Sequence, residues 1–481
     1  MIRIISIFLI ISLFISCQSR KEHSDEASSV VTEPQVTKDL EEIKEDGVLK
    51  AIVVYSGTSY FLYRGQPLGY EYELLKRLAD YLDLELEVVI AHDMNEIINM
   101  LNKGEGDLIA HGLTITQERK KAIDFTDYVY LTHQVLVQKK PDNWRKMKRH
   151  EIQKELVSSP IQLIGDTVSV RANSSYFHRL QNLEEEIGGN IYVDTIPGTV
   201  PTTKIIQKVV NGEIEYTIAD NNIAEINNSY YPSLDVDTKM SFSQRAAWGV
   251  RSNSPEFKKV LNEWIGKMRK TVDYYVIYNK YFKNRRSFRA RAESEFYSKN
   301  TGKISQYDDL VQEYASRIGW DWRFVSSLIY QESQFKPERR SWAGAEGLMQ
   351  LMPPTAKELG VQNITDPEEN IRGGTRYLKQ MWNRWEEIPD SVQRMKFTLG
   401  SYNCGYGHVK DAQRLAEKHG HKTQKWDGNV EKFVLKLAYP EYYNDEAVKY
   451  GYVRGTEPVK YVKQIMDRFR HYKELIPYDG T

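Results

Sequence analysis

A glutamate stands at the end of an apolar segment, Ile329-Tyr330-Gln331-Glu332-Ser333-Gln334-Phe335-Lys336-Pro337, in a helix expected to begin near Asp321. Downstream comes Gly344-Ala345-Glu346-Gly347-Leu348-Met349-Gln350-Leu351-Met352-Pro353, a run rich in glycine, leucine and methionine. A carboxyl group beneath such an apolar surface is desolvated, and desolvation favours its neutral form. A neutral carboxylic acid at ordinary pH can donate a proton to a leaving group. Taken alone, a glutamate on a helix is as readily a solvated surface carboxylate.

The elements that must position Glu332 form the last part of the chain. After Ser305 the pattern is helical almost throughout, with turns at Pro337, Gly344, Gly360 and Pro389. Upstream the texture differs. Val48–Val54 and Leu86–Ile90 read as strands, Tyr72–Leu82 carries apolar residues at helical spacing, and Ile97–Leu101 is helical. A second strand and helix set runs from Ile161–Val170 to Tyr216–Ala219, followed by a strand at Ala246–Val250 and a helix at Glu256–Met268. Strands alternating with helices predict an α/β domain with a mainly parallel sheet. The boundaries expected are 1–17 for an export signal, 18–45 for a flexible polar tether, 46–285 for the α/β domain, 286–305 for a linker or connecting helix, and 306–481 for the helical domain.

Whole-chain composition limits the partners. Lysine plus arginine total 66 and aspartate plus glutamate total 66, so no global field favours nucleic acid. The chain opens with Met1-Ile2-Arg3 and an apolar run from Ile4 to Ile15, shorter than the roughly 20 residues of a spanning helix. That is the pattern of an export signal. Phe14-Ile15-Ser16-Cys17 resembles the lipobox of bacterial lipoproteins, with Phe14 in place of the usual leucine. The resemblance implies lipidation of Cys17 and anchoring to a membrane surface through the attached lipid. Gln18 after Cys17, in place of the aspartate that often retains lipoproteins in the inner membrane, makes the outer membrane the expected site. Cys404 is the one other cysteine, which leaves no intramolecular disulfide if Cys17 is acylated.

Two ordered sets of motifs carry resemblances to known families. Gly69-Tyr70-Glu71-Tyr72-Glu73-Leu74, Asn102-Lys103-Gly104-Glu105-Gly106-Asp107, Thr114-Ile115-Thr116-Gln117-Glu118-Arg119 and Asp124-Phe125-Thr126 resemble the family 3 solute-binding proteins, over roughly Gly47 to Phe282. The resemblance implies a two-lobed periplasmic-binding-protein fold. It also implies that Arg119 binds the α-carboxylate of an amino acid and Asp220, after Tyr216-Thr217-Ile218-Ala219, binds its ammonium. A planar guanidinium suits the first role, since it gives two parallel charge-assisted bonds to a carboxylate. The second lobe departs from the family, with Val170-Arg171-Ala172-Asn173-Ser174-Ser175 lacking the usual glycine.

The Glu332 and Gly347 segments, with Ser401-Tyr402-Asn403-Cys404-Gly405 and Glu457-Pro458-Val459-Lys460-Tyr461, resemble the soluble-lytic-transglycosylase-type domain, glycoside hydrolase family 23, from about Gln306 to Leu475. A solute-binding module fused ahead of it resembles one type of membrane-bound lytic transglycosylase. The fold implied is a mainly α-helical, lysozyme-like domain following the two-lobed one. Implied roles are Glu332 as acid and then base, with Ser333, Ser341, Gly347, Leu348, Met349, Gln350, Tyr402, Asn403 and Tyr461 shaping or contacting the sugar site. The substrate implied is the glycan strand of peptidoglycan, with no cofactor and no metal. An amino acid or muropeptide is the expected ligand of the N-terminal domain. Ala343, Cys404 and Pro458 depart from the family's pattern at the periphery of the site. Two other readings are an amino-acid or peptide-binding lipoprotein whose C-terminal domain merely holds the wall, and a lysozyme-like hydrolase on the same site.

Overall fold

The computed structural model describes residues 33–478. Cys17 and the first part of the expected tether lie outside the described residues.

Val48–Val54 is a Val/Ile-rich strand buried along most of its length, as expected of a strand covered on both faces. It sits inside a five-stranded sheet in the order Glu85–Ala91, Val48–Val54, Leu108–Thr114, Gln244–Val250, Asp124–Thr132. A second five-stranded sheet runs Leu234–Asp235, Gln134–Lys139, Tyr216–Asp220, Thr167–Arg171, Tyr192–Ile196. Each is the centre of one lobe. In each sheet four of the five strands run the same way, as the strand and helix alternation predicts, and one runs against them. In the first sheet Gln244–Val250 is antiparallel to its neighbours Leu108–Thr114 and Asp124–Thr132, while Glu85–Ala91, Val48–Val54, Leu108–Thr114 and Asp124–Thr132 all point the same way. The second sheet mirrors this mixture. The cause is connectivity. Parallel neighbours need a long crossover, whereas the chain passes straight from one lobe to the other at His133 and returns through Ser241–Ser243.

The helix Tyr70–Leu82 packs Leu74, Leu75, Leu78 and Ala79 against the first sheet. It starts at Gly69, whose φ is +148°, and a Cβ there would lie 1.9 Å from the Ser59 carbonyl oxygen. Only glycine fits this turn.

The tether expected to reach residue 45 is not flexible in its described part. Leu40–Asp46 is a helix with a capping box at Asp39 and a buried Ile43. The Lys38 carbonyl accepts from Arg251 and from Ser254, and the Gln35 amide donates to the Asn102 carbonyl at 2.7 Å. One apolar residue and one cap are too little for composition to register, yet they are enough when a prepared surface receives them. The segment 286–305 is also packed. Its helix Arg285–Ala292 buries Phe288 and Arg291, and Tyr297 and Ile304 follow into cores.

The helical domain is gathered around one core that includes Phe324, Leu328, Leu348, Trp385, Phe397, Trp426 and Tyr461. Its main helices are Asp308–Arg317, Trp322–Ser333, Pro367–Asn383, Ser391–Cys404, Tyr406–Lys418 and Thr456–Leu475. Upstream chain enters this core. The hairpin of Phe61–Tyr63 and Gln66–Leu68 turns on Arg64 and Gly65, at φ +52° and +70°, as a two-residue hairpin requires. Its Leu62 is fully buried among the residues of the helical domain. The Tyr472 hydroxyl donates to the Gly65 carbonyl at 2.7 Å, and Tyr60 Oη lies 3.0 Å from His471 Nδ1. Arg470 pairs with Glu87 at 3.1 Å and Lys463 with Glu85.

Among the described residues no helix is long and apolar enough to cross a membrane.

Candidate active site

The helix Trp322–Ser333 begins at Asp321, whose side chain accepts from the Arg323 amide, and is buried from Trp322 through Ile329. It ends abruptly. Gln334 and Phe335 both take left-handed backbone angles, φ +55° and +60°, a strained pair for residues with side chains. Glu332 sits one residue before the end of this helix, half-buried. Burial pushes its carboxyl up to about 7, against opposing pulls from the Tyr461 hydroxyl and the Arg339 guanidinium. Tyr461 Oη donates to Glu332 Oε1.

Tyr461 is buried and projects from the helix Thr456–Leu475. That helix is tied to the Glu332 helix along its length. Arg468 Nη1 donates to the Ser327 carbonyl and to Gln331 Oε1, both at 3.2 Å, and its guanidinium covers the Tyr330 ring. Gln331 Nε2 donates to Gln464 Oε1 at 3.0 Å. Glu332 is therefore aimed by a second helix as well as by its own.

The Gly347 segment forms the neighbouring wall. Leu348 and Met349 are fully buried. Their conformation is held by Asn370, whose Oδ1 accepts from the Met349 amide at 2.7 Å and whose Nδ2 donates to the Glu346 and Ile364 carbonyls. Sequence reading missed Asn370, because a buried asparagine in the first turn of the helix Pro367–Asn383 carries no motif. Gly347 has φ +86°, and a Cβ there would meet Asn370 Nδ2 at 2.1 Å and the Ile364 carbonyl oxygen at 2.4 Å.

Several residues of the expected sugar site are hydrogen-bonded to the chain itself. Ser333 is fully buried and its hydroxyl donates to the Ile329 carbonyl at 3.2 Å, the usual back-bond of a helical serine. Gln350 Nε2 donates to the Arg339 and Gly347 carbonyls at 2.8 and 2.9 Å, so its amide braces the loop. Ser341 Oγ accepts from the Ala345 amide at 2.9 Å and closes its own turn. The Tyr402 hydroxyl donates to the Met349 carbonyl at 2.8 Å, so its polar end holds the wall. Asn403, next to Tyr402, is half-exposed. Trp342, fully exposed in the Ser341–Glu346 turn, is an aromatic surface that the motifs did not single out. Burial pushes the Cys404 thiol up to about 12, and its side chain packs against the core of the helical domain.

A second candidate site lies between the two lobes. A cavity of about 60 Å³ is lined by Ser59, Glu71, His111, Arg171, Tyr176 and Asp220, among others. Burial pushes Asp220 up to about 7 even though Tyr176, Arg171 and Arg119 all pull it down. Burial lowers Arg119 to about 10, with Arg171 the next cause, and Arg119 Nη1 donates to the Thr114 carbonyl at 2.9 Å. Arg119 and Asp220 thus belong to one electrostatic cluster although they come from different lobes. In the loop without glycine Asn173 takes φ +55°, which asparagine tolerates. Ser174 then caps the helix Ser175–Ile187.

Residues 52–284 match the family of bacterial extracellular solute-binding proteins, family 3, and residues 309–425 match the transglycosylase SLT domain. The membrane-bound lytic murein transglycosylase F of Desulfosudis oleivorans (strain DSM 6200 / JCM 39069 / Hxd3) is 32% identical over 435 residues, covering 90% of this chain and 92% of that one. The protein of the same name from Shewanella woodyi (strain ATCC 51908 / MS32) is 33% identical over 446 residues, 91% and 86% of the two chains. Among solved structures, an ancestral amino-acid-binding protein, a precursor of cyclohexadienyl dehydratase, is 26% identical with a TM-score of 0.41, covering 51% of this chain and 99% of its own.

Proposed function

The chain belongs to the membrane-bound lytic murein transglycosylase F family, and from that premise we propose how its residues carry the reaction and what its first domain senses. It is a lytic murein transglycosylase with an N-terminal solute-binding domain.

Glu332 acts first as general acid. It gives its proton to the oxygen joining N-acetylmuramic acid to N-acetylglucosamine, and the bond from that oxygen to C1 breaks. The carboxylate left behind then takes the proton of the muramic acid C6 hydroxyl as its oxygen bonds to C1. The product is a 1,6-anhydromuramoyl end, no water is consumed, and Glu332 is returned protonated. The observation that carries this reading is one half-buried carboxyl held near neutrality beside a tyrosine donor. Such a group is poised to give and to accept a proton near pH 7. The Tyr461 hydroxyl, bonded to Glu332 Oε1, stabilises the ionised form between the two transfers. Gly347, Leu348 and Met349 form the wall beside the acid, and Asn403 offers its amide to the sugar.

Digestion of purified peptidoglycan by the soluble protein, read by product mass, tests the chemistry. Anhydromuropeptides are expected. Products one water heavier would show hydrolysis instead.

Tyr461→Phe separates positioning from packing, since the ring is kept and only the donor is lost. Turnover is expected to fall about tenfold, and its alkaline limb to move up by about one pH unit, because the lost hydrogen bond stabilised the ionised carboxyl. A pH–rate profile that keeps its limb while the rate falls would remove Tyr461 from this role.

The cleft between the lobes takes an amino acid or a muropeptide, with Arg119 on a carboxylate and Asp220 on the ammonium, and closure of the lobes over it adjusts the activity of the helical domain. Arg119→Ala is expected to weaken binding about a hundredfold by calorimetry. Undiminished affinity would place the ligand elsewhere. Cys17 carries the lipid that anchors the chain, with the outer membrane as its location. Metabolic labelling with a fatty acid, lost in Cys17→Ala, tests the anchor.

A further inference from the structure

The helix Val272–Tyr278 turns Tyr274 and Ile277 into the core of the first lobe. Its opposite face is apolar as well. Val272, Tyr275 and Val276 share that face at i, i+3 and i+4, and they are 79%, 57% and 57% exposed. Tyr275 and Arg269 are common to two adjoining surface hollows of about 250 and 670 Å³. The first is lined also by Tyr128 and by Leu131, which is 52% exposed, and the second by Glu263, Lys267 and Lys270. Single exposed apolar residues need no account, but a contiguous patch with a polar rim marks a surface that a partner covers.

The rim is basic. Lys267, Arg269 and Lys270 close the helix Pro255–Met268 and the turn after it, and Arg245 comes from the strand Gln244–Val250. Arg269 and Arg245 lie over the Tyr128 ring, 3.6 and 5.7 Å from its centre, and Lys267 donates to the Tyr81 hydroxyl at 3.3 Å. Among the described residues none of these four cations pairs with a carboxylate. Other cations of the same lobe do, as Arg77 does with Asp273, Lys258 with Asp124 and Lys280 with Glu73. The carboxylates that face the patch are Glu263 in the second hollow and Asp127, whose amide is bonded to Asn262 of that hollow. Four cations against two carboxylates leave a positive excess around the exposed apolar residues.

The chain joins the fold close to this face. The Val36 carbonyl accepts from Asn253 at 3.0 Å and the Lys38 carbonyl from Ser254. From Ser254 the 14-residue helix Pro255–Met268 leads to the basic rim, a distance of about 21 Å. Cys17 precedes Gln35 by 18 residues, which span at most about 60 Å. A lipid on Cys17 keeps a bilayer within reach of the patch and raises its effective concentration there. Valine, leucine and tyrosine ringed by lysine and arginine suit the headgroup region, where apolar groups meet the acyl boundary and cations meet anionic headgroups. We propose that this face of the first lobe docks on a bilayer surface carrying anionic phospholipid, with Val272, Tyr275, Val276 and Leu131 in the interface and the four cations on headgroups. The proposal draws on the reading of Cys17 as the anchor for reach alone, and it adds a second, non-covalent contact with the membrane.

Vesicle co-sedimentation of the chain from residue 18 onward, which carries no lipid and keeps every described residue, tests it apart from the anchor. The vesicles are phosphatidylcholine alone and phosphatidylcholine with about 30 mol % phosphatidylglycerol. At about 0.1 M salt the anionic vesicles are expected to bind at least about tenfold more tightly, and the difference should shrink at about 0.5 M. Lys267→Glu with Lys270→Glu should remove the preference. Val272→Asp with Val276→Asp, both at exposed positions, should weaken binding by about tenfold or more with every cation kept. Lys432→Glu, at an exposed lysine of the helical domain, should leave it within about twofold. Equal binding to the two vesicles, or binding to neither, would overturn the proposal without recourse to any variant. Undiminished binding by a folded Val272→Asp, Val276→Asp chain would move the contact off this face and overturn it too. So would a concentration-dependent dimer that forms without lipid and is lost in that variant, which would give the face to a second copy of the chain.

Discussion

Glu332→Gln is expected to lower peptidoglycan turnover by about a thousandfold or more while leaving the protein folded. Glutamine keeps the shape and can still accept from Tyr461 Oη, so the two-helix clamp survives. It has no proton to give to the glycosidic oxygen and cannot take one from the C6 hydroxyl. The loss strikes both transfers. In the wild type, the first transfer requires the protonated carboxyl, which burial holds up to about 7. Turnover should therefore be high in mild acid and fall as pH rises through that value, reaching about one hundredth near pH 9. A rate that rises across this range would show that Glu332 is not the initiating acid.

The same substitution carries a stability signature of opposite sense. The Glu332 carboxyl is raised above its ordinary value of 4.5 in the folded protein. Between about 4.5 and 7 the native state then binds more protons than the unfolded state, so stability falls as pH rises. Allowing for partial exposure, the ionised group costs about 1–2 kcal/mol above pH 7. Glu332→Gln escapes that cost. Its melting temperature should exceed the wild type's at pH 8 and approach it at pH 4. An inactive variant that is more stable only at the higher pH is difficult to explain by misfolding.

Gly347→Ala should be the most damaging small substitution near the site, at about 3 kcal/mol or more of stability together with most of the activity. Two costs combine. The backbone stands at φ +86°, and the added methyl would lie 2.1 Å from Asn370 Nδ2 and 2.4 Å from the Ile364 carbonyl oxygen. Asn370 cannot move away, because its amide holds Met349, Glu346 and Ile364 at once. Gly344→Ala provides the internal comparison. Its φ is +88° but nothing lies within 4 Å of the added methyl, so only the backbone cost of about 1–2 kcal/mol applies. Denaturant melts that give the two variants equal losses would contradict the role assigned to Asn370.

The contrast between Gly347 and Asn370 illustrates what a sequence discloses. Glu332, Gly347 and Tyr461 were legible because each sits in a short motif whose members meet in space, although Tyr461 is 129 residues from Glu332. Asn370 acts on that motif through tertiary contact and has no signature of its own. Ser333, Ser341 and Gln350 were legible as members of the motifs, and the backbone bonds their polar ends make were not. Each has a polar end short enough to reach nearby backbone, and local bonds won. The strands and their mainly parallel sense were legible, and the one reversed strand in each sheet was not, since a strand's residues do not record which lobe the next strand enters.

Family boundaries divide the chain between residues 284 and 309. Leu62 lies far upstream of that division yet is fully buried in the helical domain's core, and Gly65 abuts Phe335 in the strained turn that follows Glu332. The catalytic unit is consequently discontinuous in the gene. Duplication or exchange of the C-terminal segment alone would pass on the acid without the loop that braces its turn, a constraint that would tie the sensor and the enzyme together through descent.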